Sequence, residues 1–291
     1  MPNTIALAKN YTSLLDEVYQ GASVTADLTS DASMCKAGAN ANEIVYPQIS
    51  VGGLGDYDRN SGYTKAAVNL EWVTAKFNYD RGAKIEVDVM DNEESRNIAF
   101  GMAGAELQRT KVAPEADAFT FATLAATEGI SSKEETLADG VEFLAALIVA
   151  KTTMDEDEVP EEGRILYATP TLLNAVMALD TTKSREILNS FKIKKKVPQS
   201  RFYTAIDLLD GKSSGEEIGH FKKAAGASDI NFMIVHKAAV IKFDKHIASN
   251  IIPASMNADA DGDISKYRKY GLVDVYKNKT AGIYCSYKPA N

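Results

Sequence analysis

Residues 91–127 read DNEESRNIAFGMAGAELQRTKVAPEADAFTFATLAAT. Asp91 suits a helix N-cap, and Glu94 three residues on completes a capping-box pattern with acids in the first turn, where the helix dipole favours them. Apolar residues follow at Ile98, Met102, Ala105, Val112, Ala116 and Phe119, keeping one helical face apolar. Pro114 has no N–H to donate, so it either bends this helix or divides it in two. Unbroken, about 37 residues at 1.5 Å each span roughly 55 Å, longer than a small domain is wide. Such a helix is a spar on which the elements before and after it lean.

The sequence ahead of the spar is rich in β-pattern. Residues 43–51, EIVYPQISV, carry Pro47, which places them at a sheet edge or outside a sheet. Residues 52–62 form a long Gly/Asn-bearing loop. Val68, Leu70 and Trp72 then alternate on even positions, and Ala75, Phe77 and Tyr79 on odd ones. One extra bulge residue near Val73–Thr74 explains that change of phase. Asp80-Arg81-Gly82 reads as a turn before a strand at Ile85, Val87 and Val89. A single strand pair with a large polar loop buries little by itself, so it must lie on this chain or on a neighbour. Upstream, Ile5, Leu7, Leu14, Leu15, Val18 and Tyr19 mark a short amphipathic segment. After Gly21 the composition turns polar, like an arm that is mobile unless a partner holds it.

Beyond the spar, Ser131 or Ser132 caps an expected buried helix over 133–151. Residues 155–162, DEDEVPEE, form an acidic linker and candidate boundary. Residues 164–168, RILYA, are a buried strand, and Thr169-Pro170 opens a helix to Leu179. A helix capped by Ser214 and Glu217 is expected over 216–225. Strands follow at 231–235, 239–243, 270–276 and 282–287, with a polar loop at 253–263.

The chain has 291 residues, a formal net charge of −8 and a pI near 5.1. That balance argues against a protein built to grip nucleic acid phosphates, though not against a container for them. Cys35 and Cys285 fit no metal or redox spacing and are expected to stay reduced. No signal peptide or membrane span is evident, so a soluble intracellular protein without a membrane partner is expected.

Chemistry-like motifs are incomplete. Gly211-Lys212-Ser213 matches the end of a phosphate loop, but Ile206 stands where the first glycine belongs. Residues 257–264 resemble the first eight positions of a calcium loop, yet Arg268 occupies the place of the bidentate glutamate. Gly52-Gly53-Leu54-Gly55 lacks the third spaced glycine and a following helix. His236 reads as structural, at a strand end. Lys192 to Lys196, KIKKK, is an exposed face, a nucleic-acid patch, or a contact for an acidic surface such as 155–162 of another copy. No catalytic residue, cofactor or metal site is expected.

The order of these elements, an α+β chain, resembles the major capsid proteins of tailed bacteriophages, the Hong Kong 97 fold. The stretches KFNYDRGAKIEVDVMDNEES, RILYATPTLLNAV and YRKYGLVDVYKNKTAGIY carry most of the likeness. The resemblance implies an N-terminal arm (1–43), an extended E-loop (44–84), a P-domain with the spine helix (85–128), an A-domain (129–261) and P-domain return strands (262–291). It implies pentamers and hexamers of an icosahedral shell around phage double-stranded DNA. A separate scaffolding protein and a portal are implied as partners; many relatives begin with a long scaffolding segment for which there is no room ahead of the E-loop, so either a separate scaffold is used or the segment was removed. Trp72, Phe77, Lys65 and Arg81 are the residues expected at contacts between copies, although Trp72 and Phe77 could equally pack on this chain's own spine helix. Lys65 lies where some relatives place a crosslinking lysine, but no asparagine or glutamate matches a motif, so no crosslink is expected. Two rivals remain: an encapsulin-type compartment around a cargo enzyme, and an enzyme binding a phosphorylated ligand near Gly211–Ser213 or after Ala168.

Overall fold

The computed structural model describes residues 23–30, 36–37, 42–60, 62–63, 65–94, 98–179 and 181–290, with backbone alone at 36–37, 92–94 and 98–102. The amphipathic segment at 5–19, Cys35, and the side chains of Ile98 and Met102 therefore lie outside the described residues. Strand β1 (Lys36–Ala37) pairs with β2 (Glu43–Val51), which pairs antiparallel with β3 (Val68–Lys76). Strand β4 (Tyr79–Asp88) runs straight into helix α1 (Val89–Glu94). Helix α2 (Ile98–Leu107), a π-helical turn at Gln108–Val112 and helix α3 (Ala113–Ala125) make up the spar. Strand β5 (Ser131–Glu134), helix α4 (Gly140–Glu156), strand β6 (Arg164–Ala168) and helices α5 (Pro170–Ala178) and α6 (Thr182–Ser190) follow. The remaining strands are β7 (Ile193–Lys196), β8 (Ile206–Leu208), β9 (Phe221–Lys223), β10 (Ile230–His236), β11 (Val240–Ile252), β12 (Gly262–Val275) and β13 (Ile283–Tyr287).

The centre is a five-stranded sheet in the order β5-β13-β10-β6-β7. Its inner strands are buried on both faces, which is why RILYA and NFMIV are apolar throughout rather than alternating. Leu166, Ala168, Phe232 and Ile234 face Phe143, Leu147 and Met154 of α4 and Leu173 of α5. Ile165, Tyr167, Met233 and Val235 face Phe121 and Leu124 of α3, with Leu28 in the same cluster. A second sheet, β11-β12-β4, carries the base of the β2–β3 hairpin: Ile44, Tyr46, Val73 and Ala75 pack on Ile241 and Leu272. Asn78 fastens this junction like a piece of backbone. Its Nδ2 donates to the Val273 carbonyl (2.8 Å) and its Oδ1 accepts the Val273 N–H (3.1 Å).

Several expectations are corrected. The first helix begins at Val89, and Asp88 rather than Asp91 caps it, accepting the Met90 N–H at 2.9 Å. At Pro114 the spar is two α-helices joined by a π-helical turn: the turn before the proline widens, with the Ala113 N–H reaching back to the Gln108 carbonyl. Asp80-Arg81-Gly82 is no turn but the interior of β4, where Gly82 lies opposite Arg268 and a Cβ would meet the Tyr267 carbonyl oxygen at 2.9 Å. No bulge interrupts β3, whose register with β2 is continuous. Residues 131–134 are a strand beside β13, and the helix after them starts only at Gly140, capped by Asp139. No helix follows Ser214: residues 221–223 are β9, and Gly215, Gly219 and His220 take positive φ. The acidic 155–162 stretch is no free linker, because buried Arg164 donates to the Pro160 carbonyl at 3.1 Å and pairs with Asp155 at 2.7 Å. Nor is the whole arm loose. Leu28 is fully buried and Ser30 bonds to β11.

Candidate interaction surface

The hairpin projects from the body. From Ile49 to Trp72 every described residue except Gly62 is exposed. Antiparallel register sets Pro47 opposite Trp72, Ile49 opposite Leu70 and Val51 opposite Val68. Residues directly opposite share a face, so these six side chains make one apolar surface. Ile49 is 59% exposed, Val51 65%, Val68 69%, Leu70 52% and Trp72 44%. The other face carries Gln48 opposite Glu71 and Ser50 opposite Asn69 over the same span. A hairpin meant for water alone would be polar on both sides. Burying five half-exposed large side chains is worth roughly 4–6 kcal/mol before the costs of association. The tip adds Leu54 and Tyr63, both almost fully exposed, with the Tyr57 and Tyr63 rings 4.8 Å apart. Asp58 closes this tip by bridging Gly62 and accepting the Asn60 N–H at 2.9 Å. Lys65 is exposed on the same loop, ahead of β3.

The other two expected contact residues sit at the hairpin's root and face inward. Phe77 is half-buried. Its ring lies 4.8 Å from that of Tyr270, and the Lys245 ammonium stands 4.9 Å above it, so it packs on β11–β12 rather than on the spar. Arg81 donates through Nε to Glu115 Oε1 (2.7 Å) and through Nη2 to the carbonyls of Leu209 (2.8 Å) and His220 (3.2 Å). The Tyr79 hydroxyl donates to the same Glu115 oxygen at 3.1 Å. Burial pushes the Glu115 carboxyl up, but His220, whose Nδ1 stands 3.5 Å from Oε2, and the bonds from Arg81 outweigh it and hold the group below its ordinary value.

The chemistry-like motifs are used internally. The N–H groups of Lys212 and Ser213, which a phosphate would need, donate to Asp210 Oδ1 at 2.7 and 2.8 Å. Bonds from Ser213 and Lys212 pull the Asp210 carboxyl down to about 2. In the calcium-like loop, Asp263 accepts the Ala254 N–H, Asn257 accepts that of Asp259, and Arg268 pairs with Asp80. Among the described residues no three His, Cys, Asp or Glu side chains are placed to hold a metal ion. The last four residues of the KIKKK run are the edge strand β7, with Lys194, Lys195 and Lys196 bonded to Leu188, Asp27 and Asn174 of the same chain. Lysines on an edge strand discourage further pairing. His236 does end β10, its Nε2 2.9 Å from the Glu162 carbonyl. No described helix is long and apolar enough to cross a membrane.

Sequence reasoning named Val68 and Leu70 only as an alternating strand pattern and did not name Ile49 or Val51; none of the four was expected at a contact. The signal was present: Val45, Pro47, Ile49 and Val51 are apolar on odd positions and Val68, Leu70 and Trp72 on even ones, and an antiparallel register brings those two sets onto one side.

No protein-family model and no curated protein sequence matches the chain. Solved structures do. A chain from the capsid structure of the cyanophage P-SCSP1u superposes with a TM-score of 0.62 at 14% identity, over 93% of this chain and 89% of that one. A chain from Mycobacterium phage Che8 gives 0.59 at 13% identity, over 91% and 90%. The virus-like particle from Pyrococcus furiosus gives 0.58 at 10% identity, over 96% and 98%.

Proposed function

We propose that this chain, which has the Hong Kong 97 capsid fold, is a structural subunit that tiles with its own copies into the pentamers and hexamers of an icosahedral shell around phage double-stranded DNA. The observation that carries this reading is the hairpin with one apolar face left in solvent. In this reading residues 44–84 are the E-loop, laid across a neighbouring copy. Residues 1–43 are the arm, 85–128 with 262–291 the P-domain, and 129–261 the A-domain. Trp72 and Lys65 serve at the contact itself. Phe77 and Arg81 serve it from within, fixing the angle at which the hairpin leaves the body. The role is geometric, with no catalysis. A separate scaffolding protein and a portal complete the assembly in the host cytoplasm, and the mature location is the virion. The acidic balance suits a container that encloses DNA without gripping it.

The test combines Trp72→Ala with a double change, Ile49→Asp and Leu70→Asp. Subunit stability should fall by less than about 1 kcal/mol in Trp72→Ala, since the side chain is already half in water. Particle formation, followed by sedimentation and negative-stain imaging, should weaken in Trp72→Ala and vanish in the double variant. A wild-type protein that stays monomeric, or a double variant that assembles like wild type, sinks the proposal. A second reading keeps the fold and changes the contents, a compartment around a protein cargo; one of the similar structures is a virus-like particle. Particle contents separate the two: nucleic acid supports the first, a single co-purifying protein the second.

A further inference from the structure

Residues 23–30 lie across the spar and β11, held by a buried polar cluster independent of the hairpin. Asp117 on α3 is fully buried and accepts from Ser23 Oγ (2.7 Å), the N–H groups of Val24 (3.0 Å) and Thr25 (3.1 Å), Thr25 Oγ1 (2.6 Å) and Arg201 Nη1 (3.0 Å). Lys242 on β11 is also buried, and its ammonium donates to the Thr25 carbonyl (3.0 Å) and to Thr25 Oγ1 (2.6 Å). Leu28 fills the core beside Phe121, and Ser30 continues the seat through its N–H to the Lys242 carbonyl (2.9 Å). Among the described residues, both acceptors of the Lys242 ammonium thus belong to the segment itself. If 23–30 withdrew, Lys242 would lose them and, of the described donors to Asp117, Arg201 would remain.

We propose that residues 23–30 are a detachable strap whose seating on the body is governed by the proton on Lys242. The groups facing that ammonium are Asp117 from α3, Lys269 from β12, Asp244 from its own strand and Asp27 from the strap, which also pairs with Lys195. Burial is the largest influence and pulls Lys242 down to about 8 from 10.5, with Lys269 acting in the same direction and the carboxylates opposing. The seated strap therefore favours the neutral amine, and the released strap, which uncovers Lys242 to water, favours the ammonium. Seating is weakest below about pH 8 and tightens as pH rises towards the ordinary lysine value. The device stands on contacts within one subunit and does not depend on the shell reading.

Hydrogen exchange with mass spectrometry on the full-length chain tests it, following the peptide over 23–30 from about pH 7 to about pH 10 with intrinsic exchange rates divided out. Strap protection should rise by up to about tenfold per pH unit across the upper part of that range, while peptides from α4 stay flat. In Lys242→Met the rise should disappear. Thr25→Val should expose the strap at every pH with α4 still protected, which separates release from unfolding. The idea fails if the strap exchanges only together with α4, or if Lys242→Met keeps the pH-dependent rise.

Discussion

The guanidinium of Arg81 joins three parts of the chain: its own strand β4, Glu115 on the spar, and the carbonyls of Leu209 and His220 beside β8 and β9. Arg81→Met should cost about 1.5–3 kcal/mol in denaturant unfolding, because it takes the guanidinium from a buried carboxylate and leaves the Tyr79 hydroxyl as its hydrogen-bond donor. Acid should shrink that difference. Glu115 is held below its ordinary value near 4.5 in the folded state, so its contribution is present above that value and lost as pH falls through the folded one. The gap between wild type and variant should therefore be widest near neutrality and close on acidification. Cys285 gives a simpler test. It is fully buried, and burial pushes its thiol up to about 12, so native protein should resist alkylation there until it unfolds.

At the scale of elements, close backbone approach decides more than propensity does. Helix α4 starts at a glycine because the neighbouring helix passes there: a Cβ on Gly140 would sit 2.5 Å from the Ala175 carbonyl oxygen. Gly140→Ala should destabilise by about 1–3 kcal/mol, read as a fall in Tm of about 2–4 °C per kcal/mol. The spar answers its proline in a related way. Instead of breaking, it widens by one turn of π-helix, so the missing N–H of Pro114 falls where the hydrogen-bond ladder is already shifted. The hairpin is the reverse case: the side chains of its outer apolar face, from Ile49 to Trp72, stay 44–69% exposed.

For the whole molecule, if copies tile as proposed, the charge of −8 sets the terms on which they meet. Like-charged subunits repel over about 8–10 Å at ordinary ionic strength, while the apolar hairpin face gains from contact whatever the salt. Raising salt should therefore lower the protein concentration needed for particles, measured by light scattering; a salt-independent threshold would count against an apolar contact opposed by charge. The sequence by itself determined the elements whose character is local: the spar, the doubly buried strands RILYA and NFMIV, the Thr169-Pro170 helix start, and an order of elements matching the Hong Kong 97 fold. Apolar spacing and a proline at the first helical position report on neighbours a few positions away, so they can be read without the fold. Only the tertiary structure decided which hairpin face stays wet, that Asp80-Arg81-Gly82 runs straight, and that Ser131–Glu134 is a strand beside β13. It alone brought Thr25 to Lys242 across 217 positions. Strand pairing and buried charge depend on partners distant in sequence, and no local pattern carries their identity.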